Sequence, residues 1–194
     1  DKTVPAQLMG AAAADVPAIQ LVTGPMMTGR HEGERLGACT DCRRYWASFR
    51  AGKVDAPQID RIEGRLATTT GTCAVMGTAS TMACITEAMG LSLPMSATIP
   101  APHAERFRSA EASGGVAAAM AKAKGPKPSE FLTASSFRNA QVVLQAIGGS
   151  TNGLIHLTAM AHRTKHKIDL ETFDKLGREV PVLIDLKPSG DHYM

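Results

Sequence analysis

The chain has 194 residues, of which 44% are hydrophobic and 20% charged, so it is long enough to form one domain with a sizeable core. A formal net charge of +3 is too small to indicate a nucleic-acid or membrane-surface partner. No apolar run approaches the roughly 18 residues of a membrane-spanning helix. Four cysteines in a chain of this length are typical of cytosolic thiols or metal ligands, which predicts a cytoplasmic protein.

The beginning of the chain predicts an α/β arrangement. An alanine-rich run after Pro5 predicts a helix, and the short apolar segment 18–22 predicts a strand that ends at Gly24. A second strand, of the buried type, is predicted at 180–185. These signals are typical of a layered α/β/α domain with a mainly parallel sheet, in which ligands bind at the carboxyl ends of the strands. We therefore predict this α/β fold class for the whole chain, without an internal domain boundary.

Most of the remaining chain is predicted to be helical. Residues 25–42 have no clear period and predict an ordered loop. Helices are predicted around Tyr45 to Phe49, over 59–66, after Cys73, over 105–124 and 129–147, after Ser150 or Thr151, and over 169–176.

The stretch 71–82 contains the strongest chemical signal. Cys73 lies in a Gly-flanked turn, and apolar residues recur at helical offsets from Val75, which predicts Cys73 at or just before a helix N-terminus. Unpaired N–H groups and the helix dipole favour a thiolate there, as a metal ligand or a nucleophile requires. Hydroxyl groups that could bind an anionic ligand follow closely, at Thr72, Thr78, Ser80 and Thr81. A buried cysteine in a tight turn would give the same pattern, so the residues alone leave both interpretations open.

The other cysteines carry weaker signals. Cys39 and Cys42 form a Cys-x-x-Cys pair, as in zinc sites and thioredoxin-like couples. No second pair follows at the spacing of a zinc site, and the flanking sequence lacks the βαβ context of a redox couple. A non-enzymatic zinc or redox module built on this pair is the alternative from another class. Cys84 lies among alanines in a predicted helix and is predicted to belong to the core.

A second polar segment precedes the helix predicted after residue 150. Ser150 or Thr151 can cap that helix, and Thr151 and Asn152 could present polar groups to an anion. A plain N-cap would give the same pattern. The six histidines are scattered singly and are predicted to be surface or core residues instead of catalytic ones.

Several motifs resemble those of the dihydroxy-acid and sugar-acid dehydratases, a family that also includes phosphogluconate dehydratase. The sequence Gly-Thr-Cys-x-x-Met-Gly-Thr-Ala-Ser-Thr-Met at 71–82 resembles the third cluster-cysteine motif of that family. Asp-Lys-Thr-Val-Pro-Ala at 1–6 resembles the continuation of its Cys-Asp-Lys-Thr-x-Pro-Ala motif. Further matching segments follow in the expected order, at 24–26, 37–42, 148–152 and 185–190. The resemblance therefore covers the whole chain.

The resemblance implies a ligand set. Cys73 would bind a 2Fe-2S cluster together with a cysteine directly before Asp1 and another further upstream. This set leaves Cys39 and Cys42 out, so the resemblance implies that both are packing thiols in a loop. Asp1 and a carbamylated Lys2 would bind Mg²⁺, which prefers oxygen ligands. The chain would be part of the large N-terminal domain of a two-domain enzyme whose barrel-like C-terminal domain lies outside these residues. The family's base is a serine in that later domain, so no catalytic residue is implied here.

The resemblance also implies a reaction and its partners. Water would be eliminated from a 2,3-dihydroxy carboxylate to give a 2-keto-3-deoxy acid. The partner is a small hydroxy-acid substrate, with no nucleic acid and no membrane, and the enzyme would be a homodimer or homotetramer. The motifs at 37–42 and 71–82 favour a sugar-acid (aldonate) dehydratase. The dihydroxy-acid dehydratase of branched-chain amino-acid biosynthesis is the alternative.

Overall fold

The computed structural model describes residues 1–194 and contains nine helices and one two-stranded antiparallel sheet. The elements are α1 (Thr3–Ala14), β1 (Gly29–His31), β2 (Glu34–Leu36), α2 (Thr40–Arg50), α3 (Ala56–Glu63), α4 (Thr78–Ala88), α5 (Ala104–Ala123), α6 (Pro128–Phe131), α7 (Ala134–Ala146), α8 (Thr151–Arg163) and α9 (Leu170–Glu179). None of the helices combines the length and the apolar character that a bilayer crossing would require.

The predicted helices are confirmed, with one division. The segment predicted as a single helix over 129–147 forms α6 and α7, which are separated at Leu132 and Thr133. The Thr133 side chain accepts a hydrogen bond from the Ser136 amide at 3.4 Å, and the Ser136 side chain is likewise bonded to the Thr133 amide. This reciprocal cap starts a new helix inside an otherwise helical pattern.

The main hydrophobic core lies between α4, α7 and α8, with α1 packed against α8. Its fully buried side chains include Met82, Ile85 and Leu157. Each such side chain stabilises the fold by about 1.5–3 kcal/mol relative to exposure. Gly149 lets the start of α8 approach α4, because a Cβ at this position would lie 2.6 Å from Leu144 Cδ1 and 2.9 Å from Thr81 Cγ2. The N-termini of α4 and α8 therefore lie side by side.

The layered parallel sheet predicted from the sequence is not present in the structure. The segments 18–22 and 180–185 form no regular secondary structure, and neither pairs with a strand. The Gln20 amide donates to the Leu91 carbonyl at 2.6 Å, and the Leu183 amide donates to the Ala146 carbonyl at 2.7 Å, so each segment lies along a helix or turn. Strand propensity reports how well a side chain fits a pleated surface, and these segments have no neighbouring strand that supplies one.

A short hairpin lies within the segment predicted as a loop. β1 and β2 pair with His31 opposite Glu34, and the two-residue turn consists of Glu32 and Gly33. Both turn residues have positive φ, 50° and 85°, which matches the twist that two-residue hairpins require. Glu at the first turn position is not a usual hairpin signal, and this explains why the sequence pattern does not reveal the hairpin.

Arg106 of α5 connects two loops, the one that contains Val22 and the one that contains Ser96 and Ile99. Its guanidinium is buried and donates to the carbonyls of Val22 and Ser96, each at 2.8 Å, and to that of Ile99. Burial lowers the pKa of Arg106. The loop after residue 22 is thereby held in place.

Candidate functional site

A cavity of about 410 Å³ lies where α2, α4 and α8 begin and where the chain starts. Five of the residues singled out in the sequence contribute to its wall, namely Asp1, Cys73, Thr78, Ser80 and Asn152. Cys39, Thr40 and Arg43 also line the cavity. The fold therefore brings together candidates that are up to about 150 residues apart in the sequence.

The loop that contains Cys73 is fixed on one side by a parallel bridge between Pro25 and Thr72. The Thr72 amide donates to the Gly24 carbonyl at 2.9 Å, and the Met26 amide donates to the Thr72 carbonyl at 2.8 Å. Gly71 is required here because its φ is 132° and a Cβ would lie 2.5 Å from the Met26 nitrogen. The backbone before Cys73 is therefore firmly placed.

On its other side the same loop is held by the end of the chain. The Met76 amide donates to the Lys187 carbonyl at 2.7 Å, and the Met194 amide donates to the Ala74 carbonyl at 3.1 Å. Pro188, next to Lys187, reaches the cavity wall. Cys73 therefore lies between two anchored backbone segments.

The helix-terminal position predicted for Cys73 is wrong. Helix α4 begins at Thr78, five residues after Cys73, so the thiol is not at the helix terminus. Burial, followed by the contact with Cys39, raises the pKa of Cys73 to about 11. The thiol is protonated near neutral pH unless a metal ion replaces the proton.

The prediction that Cys39 is a packing thiol is also wrong. Cys39 is exposed, and its Sγ lies 3.1 Å from the Sγ of Cys73. The prediction holds for Cys42, which is half-buried against the cluster that contains Leu36 and Ile62. Cys84 is packed beside a small cluster of core residues, as predicted.

Asp41 holds the Cys39 loop in position. Asp41 is 3% exposed, and its carboxylate accepts hydrogen bonds from the Gly37 amide at 2.8 Å, from Arg44 at 3.0 Å and from the Tyr193 hydroxyl. Burial and this carboxylate raise the pKa of Tyr193. Cys39 itself has a φ of 77°, a conformation that a non-glycine residue keeps only when its surroundings enforce it. The loop and its thiol are therefore rigidly presented to the cavity.

Polar side chains from α4 and α8 form another wall of the cavity. The Asn152 amide group donates to Thr78 Oγ1 at 3.0 Å, and Thr78 Oγ1 lies 3.3 Å from Ser150 Oγ. The Ser150 side chain caps α8 by accepting a hydrogen bond from the backbone N–H of Asn152 at 3.3 Å. Ser80 Oγ makes a long contact of 3.5 Å with the Cys73 carbonyl. Thr151 is exposed and does not contribute to the cavity wall.

Lys2 lies outside the cavity wall. It is exposed at the start of α1. Its charge acts on His156 of α8, because burial and then the Lys2 ammonium lower the pKa of His156. The Nε2 atom of His156 is buried and has no hydrogen-bond partner. The role of Lys2 as a metal ligand stays a prediction.

The chemical types of the ligand atoms in the cavity wall suit the cofactors that the resemblance implies. Asp1 supplies a carboxylate, which suits Mg²⁺, and Cys73 supplies a sulfur, which suits iron. No three side chains among His, Cys, Asp and Glu lie close enough together to hold a metal ion by themselves. Each residue therefore fits its cofactor as one member of a larger ligand set.

Comparison with known proteins gives a consistent result. The family model described as "Dihydroxy-acid/6-phosphogluconate dehydratase N-terminal" matches residues 1–194. The chain is 41% identical to "Dihydroxy-acid dehydratase 1" of Methanosarcina acetivorans and 40% identical to "Dihydroxy-acid dehydratase" of Endomicrobium trichonymphae, each over 194 residues, which are 100% of this chain and 35% of the relative. It is 39% identical over 192 residues to a Rhizobium meliloti protein named as a dehydratase, IlvD1, covering 99% of this chain and 33% of that relative. The chain therefore spans about a third of the length of these relatives.

Proposed function

Because the chain belongs to the dihydroxy-acid/6-phosphogluconate dehydratase N-terminal family, we propose that it forms the cluster- and metal-binding part of a hydro-lyase. The reaction eliminates water from a 2,3-dihydroxy carboxylate, a sugar acid such as an aldonate, and gives a 2-keto-3-deoxy acid. One observation carries the proposal: Cys73 and Asp1 line a single cavity together with Thr78, Ser80 and Asn152. Sulfur and oxygen donors that line one cavity support a site for one small, oxygen-rich substrate.

In this proposal Cys73 binds a 2Fe-2S cluster, while Asp1 and a carbamylated Lys2 bind Mg²⁺. When bound, these groups supply the Lewis-acid sites for the departing hydroxyl and for the substrate carboxylate. Carbamylation turns the Lys2 ammonium, which cannot ligate a cation, into an anionic oxygen donor. The remaining ligands and the base come from other parts of the complete protein.

Residues of this chain would also orient the acid. Asn152 uses one amide hydrogen on Thr78 Oγ1 and keeps a second for a substrate oxygen. Arg43 adds a positive charge to the cavity wall, and a guanidinium can bind a carboxylate through two parallel hydrogen bonds. The cavity therefore suits a polar, anionic substrate better than an apolar one.

A second candidate is the dihydroxy-acid dehydratase of branched-chain amino-acid biosynthesis. Relatives with the printed name dihydroxy-acid dehydratase are 38–41% identical over the whole chain, which favours this branch. The motifs at 37–42 and 71–82 favour the sugar-acid branch. Both candidates share the same elimination and differ in the substrate that the cavity accepts.

Steady-state kinetics of the complete protein with its cluster and Mg²⁺ separates the two candidates. We expect kcat/KM for at least one aldonate to exceed that for 2,3-dihydroxyisovalerate by about tenfold or more, since a site built for extra hydroxyl groups is penalised when they are missing. The opposite preference would assign the protein to the amino-acid branch. No dehydration of either class by cluster-loaded protein would contradict the hydro-lyase proposal.

Elemental analysis tests the alternative of another class. We expect iron and acid-labile sulfide in equal amounts in protein purified without oxygen. Zinc without sulfide would instead support a non-enzymatic module built on Cys39 and Cys42.

A further inference from the structure

We propose that Cys39 is the redox partner of Cys73, and that in the cluster-free protein the two thiols oxidise to a disulfide. The Sγ atoms are 3.1 Å apart although the residues are separated by 34 positions in the sequence. A disulfide requires an S–S distance of about 2.05 Å, so the sulfurs need to approach by only roughly 1 Å. Both cysteines are free thiols in the structure.

The close approach is built into the fold on both sides. The Cys39 loop is anchored through the buried Asp41 carboxylate. Gly37 permits this anchoring because a Cβ there would lie 2.4 Å from the Tyr193 ring. The Cys73 loop is anchored through Thr72 and Met76. Two rigid loops therefore hold the thiols facing each other before any oxidant arrives.

Exposure sets the order of the chemistry. Cys39 is exposed and Cys73 is half-buried, so a peroxide reaches the Cys39 sulfur first. Hydrogen peroxide oxidises the Cys39 thiol to a sulfenic acid and releases one water molecule. The Cys73 sulfur then attacks the sulfenic sulfur, the S–S bond forms, and a second water molecule leaves with the Cys73 proton. Two thiols lose two electrons in total, and one peroxide is reduced to two waters.

The other two cysteines are unsuited to this exchange. Cys42 packs against the Leu36 cluster, and Cys84 packs beside Val22. Oxidation removes Cys73 from the proposed ligand set, so that cluster binding and the disulfide exclude each other. This consequence rests on the proposed function, whereas formation of the disulfide does not. Reduction of the bond restores the ligand.

Peptide mapping of the complete protein tests the pair. The cluster is removed with a chelator without oxygen, the apoprotein is treated with hydrogen peroxide, remaining thiols are alkylated, and the protein is digested with trypsin. Cleavage after Arg35, Arg43, Arg65 and Arg106 places Cys39 and Cys42 in peptide 36–43 and places Cys73 and Cys84 in peptide 66–106. We expect these two peptides to be joined, lighter by two hydrogens than their sum, and to separate after reduction.

Two further measurements locate the bond. Fragment ions of the joined wild-type peptides should place it between Cys39 and Cys73, which requires no variant to fold. The Cys42→Ser variant should still give the joined peptides, whereas the matched Cys39→Ser variant should give none. Alkylated Cys39 and Cys73 after peroxide treatment, with no joined peptides, would overturn the inference.

The cluster-loaded protein supplies the last comparison. We expect no joined peptides under peroxide until the iron–sulfur absorbance is lost, and a bond that forms while iron and sulfide are retained would overturn the proposed exclusion. The function is tested separately by the iron content of Cys73→Ser. An apoprotein that forms the disulfide while Cys73→Ser keeps its cluster would support the thiol pair and contradict the ligand role.

Discussion

Cys73 owes its position to the glycine two residues before it. Gly71 has a φ of 132°, and any Cβ there would collide with the backbone of Pro25 and Met26. Because the same backbone forms the bridge to Thr72, a displaced residue 71 would carry the cysteine with it. The cluster ligand proposed at Cys73 therefore depends on a neighbour that contacts no ligand.

Replacing Gly71 tests this dependence. We expect Gly71→Ala to lower stability by about 1–3 kcal/mol, the range for a strained backbone, and to reduce the iron bound per chain. The matched control is Gly52→Ala, since Gly52 also has a positive φ of 71° but a Cβ there would meet no atom within 4 Å. Urea unfolding and iron analysis of both variants provide the readout. Equal iron loss in the two variants would contradict the role of the Gly71 collision.

The roles of the cysteines predict which of them the cluster needs. We expect Cys73→Ser to abolish the 2Fe-2S absorbance, because the serine hydroxyl replaces the sulfur donor at the anchored loop. Cys39→Ser and Cys42→Ser should assemble the cluster, since neither thiol belongs to the proposed ligand set. Visible absorption and sulfide analysis are sufficient. Loss of the cluster in Cys42→Ser with Cys73→Ser unaffected would contradict the assignment.

Lys2 allows a prediction about the metal alone. Lys2→Arg should keep the iron–sulfur absorbance but lose Mg²⁺-dependent turnover, because a guanidinium stays cationic and provides no oxygen ligand. Turnover on aldonates at saturating Mg²⁺ is the measurement. Near-wild-type rates would mean that Lys2 is an ordinary exposed ammonium, as it stands in the structure.

At the scale of elements, the sequence predicted the helices correctly, whereas it predicted a parallel sheet that is absent and did not reveal the β1–β2 hairpin. The α8 cap at Ser150 and the helices around Met82 and Leu157 follow from spacing within one segment. Strand pairing depends on a partner elsewhere in the chain, and 180–185 has the apolar composition of a buried strand while Leu183 is 74% exposed. The apolar pattern of a segment shows that it could pair as a buried strand. Whether a neighbouring strand is present depends on the tertiary fold.

The start of α8 also separates two residues that the sequence could not distinguish. Asn152 donates to Thr78 in the cavity wall, whereas Thr151 is exposed. We expect Asn152→Ala to raise KM for the acid substrate about tenfold, the effect of losing one hydrogen bond to a charged group. Thr151→Ala should change KM by less than about twofold, as expected for an exposed position away from the cavity. Equal effects would mean that Asn152 does not face the substrate.

At the scale of the whole molecule, the candidate site combines residues that only the tertiary fold brings together. The motifs identified Cys73 and Asp1 by resemblance, and both line the same cavity. No local signal placed Cys39 against Cys73, because their contact depends on Asp41 and on Tyr193 near the end of the chain. The sequence therefore identified the candidate ligands Cys73 and Asp1, but it did not reveal the contact between Cys39 and Cys73.

Arg106 provides the test of how the loops around this cavity are supported. Replacement with Met removes all its donors and leaves the carbonyls of Val22, Ser96 and Ile99 without their partner. The loss is partly offset, because the buried guanidinium has a lowered pKa and no carboxylate partner, so its own desolvation cost also disappears. Three lost charged hydrogen bonds at about 1.5–3 kcal/mol each outweigh this relief, and we expect a net destabilisation of about 2–4 kcal/mol.

Urea unfolding of the complete protein, followed by hydrogen exchange of residues 22–26 and 96–99, measures the effect of Arg106→Met. The matched control is Arg108→Ala on the same helix, which removes an exposed ion pair with Glu105 and should cost less than about 1 kcal/mol. We expect exchange to accelerate in both loops for Arg106→Met and in neither for Arg108→Ala. Because the Gly24 carbonyl accepts from the Thr72 amide, the acceleration should extend to Thr72, beside Cys73. Unchanged exchange at Thr72 would show that the cysteine loop is supported independently of Arg106.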